Sequence, residues 1–205
     1  MKFCQKIGCY FGIVLFVIVQ LNGVAVEASN QNNSDKSSSS FEPMAVGNTW
    51  LYQVTQSDGQ VSQLRRTITK VQVINGVEHY YYAVVDPEYG DVVGSYQQYV
   101  VNGALFVSYP NIPTSEKLIS NSPSVGDTWS YNVGGESSVF TITSTDTVFE
   151  TPAGSFVCAI VVNEIKDGSE LVEKITFFFA KGVGVVRELY HDGSENILLS
   201  YSFVE

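Results

Sequence analysis

Cys158, His79 and His191 are the side chains best suited to nucleophilic or metal chemistry downstream of residue 28. A nucleophilic thiol needs a base or a cation beside it to become thiolate. Cys158 lies in the apolar run Ser155-Phe156-Val157-Cys158-Ala159-Ile160 and reads as a core side chain. Structural zinc takes three or four ligands, and two distant histidines with one cysteine give no such spacing. His79 alternates with Val77 and Tyr81 and reads as a packed strand residue, while His191 abuts the Asp192-Gly193 turn and reads as solvated. Asp86, Glu88 and Asp91 gather three carboxylates in Asp86-Pro87-Glu88-Tyr89-Gly90-Asp91. Such oxygens suit Ca²⁺, but the spacing is not that of an EF-hand, and a solvated acidic turn is the simpler reading. Gly182-Val183-Gly184 runs on into Val185-Val186-Arg187-Glu188-Leu189, a strand rather than a helix. It therefore offers no helix N-terminus to a phosphate. No carboxylate pair or Ser-His-Asp set can be picked out, so no catalytic residue and no cofactor is assigned.

Aromatic residues are the more suggestive set. Tyr80-Tyr81-Tyr82 is joined by Tyr89, Tyr96, Tyr99, Tyr109 and Phe177-Phe178-Phe179. Consecutive strand residues face opposite sides, so such runs put rings on both faces of a sheet. One face is core; rings on the other can line a groove or pair across strands. Tyr80, Tyr82, Tyr99 and Phe178 are the candidate ligand-contacting positions.

The flanking sequence supplies an address. Lys2 and Lys6 precede an apolar run from Tyr10 to Val19, and Val26-Glu27-Ala28 places small residues at −3 and −1 of a cleavage site. Residues 1–28 thus read as a signal peptide, with an uncleaved anchor as the alternative. The run falls short of the roughly 20 residues of a spanning helix, so no stable membrane insertion is expected after cleavage. Losing Lys2, Lys6 and Glu27 takes the net charge from −10 to −11, which gives nucleic acid no basic face. Only Cys158 remains, so no intramolecular disulfide forms. Residues 29–41 are rich in Ser and Asn and read as a disordered linker.

The domain, 42–205, carries an internal repeat. Val46-Gly47-Asn48-Thr49-Trp50-Leu51-Tyr52-Gln53-Val54 recurs as Val125-Gly126-Asp127-Thr128-Trp129-Ser130-Tyr131-Asn132-Val133, and both tryptophans lie in it. Tyr99 to Gly103 aligns with Phe178 to Gly182 at the same offset. Repeats 42–120 and 121–205 follow. Turn pairs such as Asn75-Gly76 and Asn102-Gly103 separate runs rich in Val, Ile, Thr, Tyr and Phe. Strands are predicted over 48–56, 61–73, 77–85, 92–101, 104–109, 127–133, 137–149, 156–166, 171–180, 183–190 and 195–204. Ile197, Leu199, Tyr201 and Phe203 share one face of the last of these. The expected fold is all-β, an antiparallel meander of two tandem repeats curved into a half-barrel or barrel, with a β-sandwich as the alternative.

Val46-Gly47-Asn48-Thr49-Trp50-x-Tyr52, Thr151-Pro152-Ala153-Gly154-Ser155-Phe156-x-Cys158 and Ala180-Lys181-Gly182-Val183-Gly184-Val185-Val186 together resemble poorly characterised bacterial exported proteins and lipoproteins. Strand order is more loosely similar to the lipoprotein-carrier (Lol-type) half-barrels. The chain departs from lipoprotein members in having no cysteine near the cleavage site. The resemblance implies export to the periplasm, cell surface or medium, and the group has no agreed activity to carry over. Three functions are carried forward. The first is a non-catalytic exported protein that binds a hydrophobic small molecule or envelope component. The others are a cell-surface interaction module and a Ca²⁺-dependent hydrolase using Asp86, Glu88 and Asp91.

Overall fold

The computed structural model describes residues 40–110, 112, 114–133 and 135–204. The expected leader and most of the linker lie outside these residues. Twelve antiparallel strands form one sheet in the order β6-β5-β4-β3-β2-β1-β12-β11-β10-β9-β8-β7. They are β1 (Thr49–Thr55), β2 (Val61–Ile74), β3 (Val77–Val85), β4 (Val92–Val101), β5 (Ala104–Ser108), β6 (Glu116–Ser120), β7 (Thr128–Val133), β8 (Glu136–Thr151), β9 (Gly154–Asp167), β10 (Glu170–Ala180), β11 (Gly184–Tyr190) and β12 (Glu195–Ser202). The sheet curls into a nearly closed barrel with one seam, between β6 and β7. Because every strand belongs to one sheet, the sandwich alternative does not hold.

Hairpins arise where the sequence marks them. Asn75-Gly76 and Asn102-Gly103 have positive φ at both residues, the backbone that a two-residue hairpin turn demands. Eleven strands match the sequence reading closely. The twelfth, β6, is missed because Glu116-Lys117-Leu118-Ile119-Ser120 is short and opens on two charges, so no alternation marks it.

Two junctions join β1–β6 to β7–β12. At the first, β1 and β12 pair along their length, from Thr49↔Ser202 to Thr55↔Glu195. At the seam, side chains replace the ladder. Trp129 Nε1 donates to the Lys117 carbonyl at 2.7 Å, and the Lys117 amide donates to the Tyr131 hydroxyl at 2.6 Å. The Lys117 ammonium lies 4.1 Å from the Trp129 ring centre. Trp50 and Tyr52 make comparable bonds within the barrel, to the Val183 and Val185 carbonyls at 2.7 and 2.8 Å.

One buried cluster fills the inner face, including Trp50, Tyr52, Ile68, Tyr82, Phe140, Ile175, Phe179 and Leu198. On β12 the most buried positions are Asn196 and Leu198, not the Ile197-Leu199-Tyr201 face. That second face is apolar because the long β8–β9 hairpin bends over the outside of the barrel. Two register shifts, around Ser144, bend it, and its tip sets Phe149 against Phe178 and Phe156 near Tyr201. Cys158, on β9 within this hairpin, is fully buried, as expected of a core thiol.

Candidate functional site

Alternation and register divide the four candidate aromatics. Tyr82 pairs with Tyr96 and Tyr80 with Gln98, so these four share a face. Following the register from Ile68 and Arg66 through β1 and β12 to Glu188 and Phe177 identifies that face as the barrel interior. Tyr99 pairs with His79 and therefore points outward, its ring stacked on Phe106 at 5.4 Å. Phe178 also points outward, under the β8–β9 hairpin. Tyr80 and Tyr82 thus lie in the interior, and Tyr99 and Phe178 share no site with them. Tyr80 sits at its edge and donates to Glu78.

The interior holds a group of buried polar side chains. Arg66 on β2 donates from Nη2 to Glu188 Oε1 on β11 at 2.7 Å. Glu188 is wholly buried and also accepts from the Tyr190 hydroxyl and from Asn196 Nδ2, its register partner on β12. The Arg66 guanidinium is 4.5 Å from the centre of the Tyr52 ring. Every charge in the pair therefore has a partner, the condition under which a buried ion pair is tolerated.

Beside it lies a second carboxylate. The chain from Ser40 to Ala45 lies outside the sheet and enters the barrel, where the Ser40 carbonyl accepts from the Gly182 amide and the Pro43 carbonyl from Asn48 Nδ2. Phe41, placed by composition at the end of the linker, is buried edge-on to Phe179 at 6.1 Å. Glu42 accepts from the Tyr82 hydroxyl at 2.8 Å. Gln98, with its amide turned to donate, reaches both Glu42 oxygens at 3.1 and 3.2 Å. Gly184 makes room: a Cβ there would lie 3.3 Å from the Glu42 carboxyl carbon. Burial pushes the Glu42 carboxyl up to about 7, against the opposing pull of Tyr82, Arg66 and Gln98. Burial likewise raises the Tyr52, Tyr82 and Tyr96 phenols, which remain neutral, and Tyr52 and Tyr82 donate.

The arrangement is built to hold a carboxyl group and favours its neutral form: two uncharged donors, a neighbouring arginine already neutralised, and aromatic walls. It sets no nucleophile beside a base. Sequence reading missed Glu42, Arg66, Gln98, Glu188 and Asn196. The available signal was alternation: Glu188 falls in step with Val186 and Tyr190, so a charge occupies an inward position.

Elsewhere, the Asp86 carboxylate accepts from the Glu88 amide, and backbone bonds from Asp86 to Gly90 and Asp91 close the turn. Among the described residues no three His, Cys, Asp or Glu side chains form a metal-holding group. His191 is half exposed and touches the Glu173 carboxylate. His79 packs 4.3 Å from Tyr99, ring centre to ring centre.

No protein-family model and no curated protein matches the chain. Among solved structures it is similar to an inferred exported protein with a YmcC-like fold from Bacteroides fragilis. The identity is 16%, the TM-score 0.55, and the match covers 80% of this chain and 99% of that one. It is also similar to an inferred lipoprotein from Parabacteroides distasonis, at 20% identity and a TM-score of 0.52, covering 79% and 98%. At these identities the likeness is one of fold.

Proposed function

We propose that the chain is an exported, non-catalytic β-barrel that binds a hydrophobic or envelope-derived molecule in its interior. One observation carries this reading. The inner face joins aromatic walls to a buried donor set, Tyr82 and Gln98, whose acceptor is a carboxylate brought in from outside the sheet. Export is supported by the leader-like residues 1–28 and by the names of the two structural neighbours, one exported and one a lipoprotein. We also propose that β1–β6 and β7–β12 are copies of one unit. Gly47 and Gly126 bond the Ile68 and Ile142 carbonyls alike, and Ile68 and Ile142 bond Asn48 and Asp127 in return.

The test is to express the full chain with its leader, purify it without detergent and extract it with organic solvent. One amphiphile recovered in stoichiometric amount by mass spectrometry is the expected result. An empty extract, together with no uptake of an apolar fluorescent probe by the purified protein, would reject the reading. An interaction module is the second reading, favoured by the exposed Val148–Val157 pair at the β8–β9 tip. Crosslinking from that tip to an envelope protein would support it.

A further inference from the structure

Resting on that binding reading, we infer that Phe41 and Glu42 occupy the place of the ligand, and that the ligand is a monocarboxylic acid with an apolar tail. Three features point there. The segment carrying them precedes β1 and belongs to no strand, yet both side chains are buried in the barrel. Its chemistry is that of a short fatty acid: a carboxylate between Tyr82 and Gln98, and an apolar group against Phe179. The head-group pocket also has a defined charge. Arg66 is already paired with Glu188, so the Glu42 position offers two neutral donors and no free cation. One carboxyl group, which can stay neutral, fits there; a phosphate or sulfate dianion would sit in a buried site without a counter-charge.

A docked internal segment competes with ligand, so the apparent affinity is lowered by the fraction of molecules in which it has left. The probe is 11-(dansylamino)undecanoic acid, titrated into the exported chain and followed by dansyl fluorescence. Phe41→Ala/Glu42→Ala is expected to tighten binding by about tenfold or more. Adding Tyr82→Phe and Gln98→Leu is expected to undo that gain. The matching probe with a methyl group in place of the carboxyl is expected to bind no better to the variant than to the wild type. If the methyl-ended probe gains as much as the acid, hydrophobic binding stands and the carboxyl assignment falls. If the folded variant binds the probe no better than the wild type, the self-ligand inference falls while solvent extraction still decides the broader reading. Should the variant not fold, hydrogen exchange of the wild type decides. Saturating dodecanoate is expected to speed exchange at residues 40–46, and no change there overturns the inference.

Discussion

Arg66 and Glu188 meet at 2.7 Å inside the barrel although 122 residues separate them in sequence. Their ion pair links β2 to β11 across the interior, a connection that no ladder makes.

Removing one partner leaves a buried charge unmatched. Glu188→Leu or Arg66→Met alone is expected to cost about 3–5 kcal/mol, and the double variant clearly less than the sum. Urea denaturation of the four proteins completes the cycle. Strict additivity would show that the two side chains are not coupled.

Glu42 makes stability depend on pH in a defined window. Its carboxyl ionises near 4.5 in the unfolded chain and near 7 in the folded one. Its stabilising contribution is therefore full below pH 4.5 and is lost as pH rises to 7, by about 3 kcal/mol in all. Glu42→Gln mimics the protonated form. The stability of wild type minus that of Glu42→Gln should decline over this window and level off above it; a flat difference would contradict the burial of the carboxyl.

At the seam, Trp129→Phe/Tyr131→Phe deletes both bonds to Lys117 and leaves a phenyl ring at each position. Each bond is worth about 1 kcal/mol. Hydrogen exchange should rise at Glu116–Ser120 and stay unchanged at β2 and β3. Uniform acceleration across the sheet would show that the seam is not an independent unit.

Cys158 is fully buried, and burial pushes its thiol up to about 11. Ellman's reagent at pH 8 should leave it untouched in the native protein and titrate one thiol in denaturant. Rapid reaction in the native state would contradict the burial of this side chain.

The strands could be read from sequence because turn pairs and β-branched runs are local signals. Asn75-Gly76 specifies its hairpin within a few residues. β6 could not be read, since a five-residue strand beginning Glu-Lys has no alternation and owes its place to pairing with β5. The interior polar group was hidden for a related reason. Glu42 lies at the junction of a polar tether and the domain, and its burial depends on Tyr82, Gln98 and Gly184, each distant in sequence. Tyr80 and Tyr82 could be placed together by alternation, but Tyr99 and Phe178 needed the register between strands to show which way each points.

The barrel is zipped by a full ladder where β1 meets β12, and held by side chains alone where β6 meets β7. Residues 121–127 connect the two edges of the seam and, fully stretched, reach at most about 25 Å. This connection acts as a leash: even with the seam bonds broken, the two edges cannot drift far from each other. The β1–β12 junction has no such short connection, and its full ladder holds the two strands together there.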